Sequence, residues 1–330
     1  MPELTADSIL SLGRGFMESR ILLSAVELDL FTLLAGDPMS AREVAAARNA
    51  GLRGTTILLD ALAGLGFLVK QDGAYRCSED VASLLSRDAP GSVAPMLMHS
   101  VALWRRWSEL TEVVRRGTPA QAAAPEHRER ERGAFIGAMH TIGRRMAEEV
   151  VVAIGPGPAR RLLDIGGASG TYTQAFLEAS HGLQATLFDL PPVVELARRR
   201  LGGTGLLERI TFVAGDFYTD ELPGGHDLAL LSAIIHQSNA EQNVELYRKA
   251  HRALVPGGRL VIRDHVMSPD HTRPARGAVF AVNMLVGTEG GRTYSFEEIQ
   301  EGLESAGYVR VRQLQADALM SGLVEAFTPE

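Results

Sequence analysis

A strand, a glycine-rich turn and a helix follow one another at residues 161–179, and no other stretch of this 330-residue chain limits its fold so tightly. Leu162, Leu163 and Ile165 are apolar and read as the end of a buried strand, with Asp164 among them. Gly166, Gly167 and Gly170 follow, with small Ala168 and Ser169 between. Glycines admit positive φ and let a ligand come within contact of the backbone. Residues 172–179 then have helical spacing. This is the opening unit of a doubly wound α/β sheet, whose ligands sit outside the carboxyl ends of the strands.

The loop alone leaves three readings open. Asp164 is a poor neighbour for a pyrophosphate and a good one for an amino group, which fits S-adenosylmethionine (SAM), a cofactor with an ammonium and no phosphate. A dinucleotide fits less well, because Ala168 stands at the second fingerprint glycine and Thr171 at the sixth position. A merely tight turn is the third.

The downstream strands narrow the choice. Residues 185–188 form a strand closed by Asp189, which is placed to accept hydrogen bonds from both ribose hydroxyls. Pro191 and Pro192 open the next helix, a favoured place for proline. Residues 210–213 form a strand ending in Gly215-Asp216-Phe217, where the acid can accept an adenine amino hydrogen and the ring can stack on the base. Residues 228–235 lead to His236. Residues 260–263 follow the turn Pro256-Gly257-Gly258 and lead to Asp264 and His265. One polar strand terminator is ordinary; a glycine loop, Asp189, Asp216, His236 and Asp264 on consecutive strands make a site. Residues 296–306 are helical, and two closing strands follow at 308–315 and 323–327.

Residues 17–35 read as an amphipathic helix. Helices at 41–48, with Ser40 as N-cap and Glu43 three residues on, and at 55–64 come next, then a hairpin around Gln71-Asp72-Gly73. This is a winged-helix pattern. Its candidate recognition helix carries Asp60 and, beyond Arg53, no Lys or Arg. The net charge of −7 weighs the same way. DNA binding would need phosphate contacts there, so a packing or dimerisation module is the better reading and no nucleic-acid partner is expected. Residues 92–116 suggest one or two helices with Trp104 and Trp107, 118–125 a linker, and 134–154 a long helix carrying Met139 and His140. The expected division is 1–95, 96–150 and 151–330. The single Cys77 fits a reducing cytoplasm. No apolar run is long enough to span a membrane, and no metal site is expected.

As a set, Leu163 to Gly170, Phe188-Asp189-Leu190-Pro191, Gly215-Asp216-Phe217, Pro256 to Leu260 and Asn283-Met284-Leu285-Val286 resemble the class I SAM-dependent O-methyltransferases of the caffeate and hydroxyindole type, in their bacterial secondary-metabolism branch. The resemblance covers nearly the whole chain. It implies an α/β fold with a Rossmann-like seven-stranded sheet and an N-terminal, mostly helical winged-helix domain that forms a homodimer. It implies SAM as methyl donor, S-adenosylhomocysteine (SAH) as product, and a small-molecule acceptor bearing a hydroxyl, probed first as a phenol. Asp164, Gly166, Gly167 and Gly170 would hold the methionine part, Asp189 with Leu190 the ribose, and Asp216 with Phe217 the adenine; Ser232 would be a further cofactor contact. Met139, His140, Asn283 and Met284 would lie near the acceptor. His236 matches the general base and Asp264 the acid that orients it. His236-Gln237-Ser238 stands where the family often has His-Asp-Trp, and Thr293 where some plant members have a second acid. His265 and His140 are the other candidate bases. Methylation at carbon or nitrogen, and a SAM-binding enzyme of this fold with a non-methylating reaction, are the alternatives.

Overall fold

The computed structural model describes residues 4–119, 146–316 and 320–330. These separate between Trp104 and Arg105 into two compact units.

The first unit is mostly helical. Its helices are Ala6–Arg14, Phe16–Glu27, Leu30–Leu33, Ala41–Ala47, Leu52–Gly64 and Glu79–Leu85, with Ala94–Trp107 running out of it. A small antiparallel sheet has the order β1-β3-β2, with β1 Met39–Ser40, β2 Val69–Gln71 and β3 Ala74–Arg76. The wing forms as expected, because Asp72 and Gly73 both take positive φ, at 51° and 80°, the pair a two-residue hairpin turn needs. Ser40 and Glu43 make a reciprocal capping box. The single helix expected over 17–35 is broken instead. Asp29 sits at φ 52°, and Arg48 donates to its carbonyl at 2.6 Å. The break turns Leu30, Phe31 and Leu34 into the core with Leu59, Leu62 and Tyr75. Burial of that cluster outweighs helix continuity.

The second unit carries a seven-stranded sheet of order β11-β12-β8-β7-β4-β5-β6. Its strands are β4 Arg161–Ile165, β5 Gln184–Asp189, β6 Ile210–Ala214, β7 His226–Ser232, β8 Leu254–Asp264, β11 Val309–Gln315 and β12 Gly322–Phe327. β4 to β8 run parallel, and β12 is antiparallel to both β8 and β11. The last strand therefore lies inside the sheet, between the strands on either side of it. β9 Val266–Met267 and β10 Tyr294–Ser295 form a separate parallel pair. Helices cover both faces, which is why residues 162–165 of β4 and 260–264 of β8 are all buried. Ile165, Leu231 and Ile262 face one core cluster, and Leu162, Leu230 and Val261 the other. The chain goes from β4 outward to β5 and β6, then returns to place β7 on the other side of β4. That reversal opens a crevice at the carboxyl ends of β4 and β7.

One local expectation needs correction. β7 ends at Ser232; Ala233 takes φ 58° and a 3₁₀ turn, Ile235–Gln237, carries His236. Asn243 pins that turn by donating to the Ile235 carbonyl at 2.8 Å. The segment 92–116 is two helices, Ala94–Trp107 and Leu110–Arg116. Of the helix expected over 134–154, residues 146–154 are described and helical; Met139 and His140 lie outside the described residues.

Candidate active site

The glycine loop follows β4 and is confined on three sides. Gly166 and Gly170 take φ of 70° and 73°. A Cβ on Gly166 would lie 2.6 Å from Ile234 Cδ1, one on Gly167 2.8 Å from Leu187 Cγ, and one on Gly170 2.7 Å from Leu201 Cδ1. Positive φ and close packing together exclude side chains there. The helix Thr171–Ala179 begins directly after Gly170. Behind the loop, Arg200 donates from Nε to the Ser169 carbonyl at 2.6 Å.

Asp164 and Asp189 flank this loop differently. Asp164 is 2% exposed, and its Oδ2 accepts from Thr173 Oγ1 at 2.6 Å. Burial pushes its carboxyl up to about 6; the Thr173 hydroxyl opposes this and the charge of Asp189 adds to it. Asp189 ends β5 and is half-buried. Its two oxygens accept the backbone N–H groups of Ala168 at 2.8 Å and Leu190 at 2.7 Å. The carboxylate is thus locked against the loop, with Leu190 36% exposed beside it.

Asp216 and Phe217 follow β6. Asp216 Oδ1 accepts the Tyr218 N–H at 2.9 Å, and the Phe217 and Tyr218 rings lie 4.6 Å apart. The Phe217 edge reaches the glycine loop, with Cε1 3.4 Å from where a Gly166 Cβ would stand. Lys249, on the helix Ala240–Ala253, holds this segment. Its Nζ donates to the carbonyls of Phe217 at 3.0 Å, Tyr218 at 2.8 Å and Asp220 at 3.0 Å. All three of its donors are used, and the residue is buried. Sequence reasoning missed Lys249. The signal was its place on the apolar face of that helix, among Leu246, Ala250 and Ala253. Lys249→Met is expected to leave three carbonyls unpaired, to free the 216–220 segment and to weaken SAH binding by about tenfold, read by titration calorimetry.

The other end of the crevice holds two imidazoles and one carboxylate. His236 and Asp264 are buried, at 6% and 1% exposure. His236 Nδ1 lies 2.8 and 2.9 Å from the two Asp264 oxygens. Asp264 Oδ1 also accepts the His265 backbone N–H at 2.8 Å. Burial opposes ionisation of Asp264, but the charge and hydrogen bond of His236, with the His265 N–H, outweigh it and hold the carboxyl below its ordinary value. A charged Asp264 keeps the proton on Nδ1 and leaves Nε2 as an acceptor. The Phe280 ring stands edge-on to His236, at 4.8 Å and 89°, and lies 4.9 Å from His265.

Asn283 and Met284 lie on the helix Ala275–Gly287. Asn283 Oδ1 accepts from Trp107 Nε1 at 2.9 Å, and Met284 is buried. Thr293 is buried too. Ser232 accepts a long hydrogen bond, 3.3 Å, from Arg263 Nη1.

The donor set suits SAM. A carboxylate for a diol ends β5, an aromatic side chain borders the β6 end, and the loop between Gly166 and Gly170 holds no Lys or Arg for a pyrophosphate. Buried Arg263 Nε and Tyr172 Oη, near the start of the loop's helix, have no well-formed hydrogen bond among the described residues.

Comparison with known proteins gives matches over most of the chain. Residues 107–309 match an O-methyltransferase domain, and residues 10–88 an O-methyltransferase dimerisation domain. The tetracenomycin polyketide synthesis 8-O-methyl transferase TcmO of Streptomyces glaucescens is 33% identical, with 92% of this chain and 91% of that protein covered. The 3-hydroxy-5-methyl-1-naphthoate 3-O-methyltransferase of Streptomyces sahachiroi is 32% identical, with 92% and 90% covered. Human N-acetylserotonin methyltransferase, solved in complex with SAM, superposes with a TM-score of 0.82 at 26% identity, covering 100% of this chain and 99% of that one.

Proposed function

The chain belongs to the SAM-dependent O-methyltransferases, and from that premise we propose that it methylates a phenolic hydroxyl of a small, natural-product-like acceptor, with His236 as general base. The observation that carries the reading is the buried His236–Asp264 pair at the carboxyl edge of the sheet. The acceptors in the names of the two Streptomyces relatives, a tetracenomycin polyketide and a hydroxynaphthoate, support the acceptor class.

SAM, when bound, supplies an electrophilic methyl group on a sulfonium. The glycine loop with Asp164, Gly166, Gly167 and Gly170 holds its methionine part, Asp189 and Leu190 its ribose, and Asp216 and Phe217 its adenine. Ser232 adds a contact at the end of β7. A phenol has a pKa of about 10, so little phenolate exists at neutral pH. His236 Nε2 takes the phenolic proton as the oxygen attacks, and charged Asp264 stabilises the resulting imidazolium. Phe280 gives the imidazole an apolar wall. Asn283, held by Trp107, keeps its amide N–H₂ to orient the acceptor, alongside Met284; Met139 and His140, outside the described residues, are assigned to the acceptor by family resemblance alone.

In this reading residues 1–95 pair two copies of the chain, 96–150 line the acceptor pocket, and 151–330 bind SAM and carry the chemistry. Ile9, Leu12, Phe16 and Met17 on the first two helices are 51–84% exposed and supply apolar surface for pairing. The winged helix serves that role and not nucleic-acid binding: Asp60, on its candidate recognition helix, bonds Lys70 at 2.6 Å and Tyr75 at 2.7 Å. No helix among the described residues is long and apolar enough to cross a membrane. The single cysteine, Cys77, supports a reducing compartment, the cytoplasm, as the location in this reading.

Incubation with methyl-labelled SAM and a panel of phenols, with the product analysed by mass and NMR, is expected to give a methyl ether. A methyl found on carbon or nitrogen, or a converted acceptor without the label, overturns the reading.

A further inference from the structure

Arg263 is a buried cation, 3% exposed, that the proposed mechanism does not use. It is the penultimate residue of β8 and pairs across the ladder with Ser232, the last residue of β7. The one hydrogen bond its side chain makes among the described residues is the 3.3 Å contact from Nη1 to Ser232 Oγ, and its Nε has no partner among them. Its guanidinium lies 5.2 Å from the centroid of the Tyr172 ring, whose own buried hydroxyl makes no well-formed hydrogen bond among the described residues, though the Ser232 side chain is within its influence. Unmet donors on a buried guanidinium are costly unless an anion completes them.

The surroundings say which anion. Side chains alternate along a strand, so Arg263 and Asp264 point to opposite faces of the sheet. Asp264 faces His236 and the acceptor end. Arg263 faces Tyr172, the second residue of the helix that follows the glycine loop. The start of that helix favours negative charge as well. Tyr172 feels two opposite charges, Arg263 and Asp164. A cation and an anion beside one ring suit a zwitterion, and the amino-acid end of SAM carries one carboxylate and one ammonium.

We propose that Arg263 binds the α-carboxylate of SAM, with the Tyr172 hydroxyl as a second donor. The assignment rests on the proposed methyl transfer and adds to it the residue that fixes the donor's amino-acid end. Adjacent residues of β8 then serve opposite ends of the reaction: Arg263 anchors the donor and Asp264 orients the base.

The test is calorimetric and needs no turnover. Two probes are used: SAH, and decarboxylated SAH, which keeps the ammonium and lacks only the carboxylate. Wild type is expected to bind SAH about 10- to 100-fold more tightly than the decarboxylated probe. Arg263→Met should erase that preference by weakening SAH alone, Arg263→Lys should keep part of it, and Tyr172→Phe should lose a smaller part. Equal affinity of wild type for the two probes overturns the assignment, and needs no variant to fold. A folded Arg263→Met protein that still prefers SAH also overturns it, and leaves the transfer reading intact. A wild-type protein that prefers SAH yet forms no methyl ether overturns the transfer reading and leaves the assignment standing.

Discussion

Replacing His236 by alanine is expected to cut methyl transfer by about 10²- to 10⁴-fold, the usual worth of a general base. The loss should fall on kcat, because His236 pairs with Asp264 and serves the acceptor's proton in this reading, and SAH affinity should barely move. The remaining activity should carry a pH signature. Without the imidazole, only phenolate reacts, so the residual rate should climb about tenfold per pH unit toward the phenol pKa of about 10. Wild type should lack that slope over the neutral range. Asp264→Asn should produce a similar loss by a different route. It removes the charge that keeps the proton on Nδ1, and an amide can turn its N–H₂ to that nitrogen and select the wrong tautomer. Asp264 is 1% exposed, so deleting its partner leaves a carboxylate without its main support, at a cost of about 3–5 kcal/mol. Thermal unfolding of each variant separates that cost from the chemistry, and His236→Gln, which refills the space, is the companion. A folded His236→Ala protein with near-wild-type turnover and no new pH slope would remove His236 from the mechanism and turn attention to His265, which also borders Phe280.

The parts of this architecture that were legible in the sequence are those set by local pattern. Gly166 and Gly170 announce positive φ, and β4 and β5 announce burial on both faces by their apolar runs. Asp189 and Asp216 stand where a parallel strand must stop, so their place at the ligand edge follows from topology. What stayed hidden depends on partners far along the chain. The helix break at Asp29 is paid back by the Leu30, Phe31 and Leu34 contacts with Leu59 and Tyr75, which no local window contains. Lys249 stands within a helix and Arg263 near a strand end, where no local window shows a partner for either. Only the fold brings three carbonyls of the 217–220 segment to the first and the Tyr172 ring to the second. His236 was expected at a strand end and sits on a 3₁₀ turn instead, because Ala233 at φ 58° takes the chain out of the sheet first. The turn still delivers it to Asp264, since it follows β7 and Asp264 ends β8, the strand paired with β7.

Asp164→Asn is expected to make the protein without ligand more stable at pH 7.5, by up to about 3 kcal/mol, and at the same time to weaken SAH binding. Burial raises this carboxyl from 3.8 to about 6 in the folded protein. Between those two values the native state holds a proton that the unfolded chain releases. The favourable contribution of the neutral form is therefore complete below pH 3.8 and is lost as pH rises through about 6. An asparagine has no charge to bury and can still accept the Thr173 hydroxyl through its amide oxygen. The two proteins should thus unfold alike in denaturant near pH 4 and diverge steadily up to about pH 7, where the wild type is the weaker. A stability difference independent of pH would mean that Asp164 titrates like an ordinary carboxylate and that burial is not its governing influence. The paired loss of SAH affinity is what gives the strain a purpose. A carboxylate held uncomfortably beside the glycine loop attracts an ammonium more strongly than a solvated one could, because little water competes for it. With the Arg263 Nε unpaired among the described residues and Asp164 buried against its charge, the two opposite charges that act on Tyr172 both stand to gain from one zwitterion.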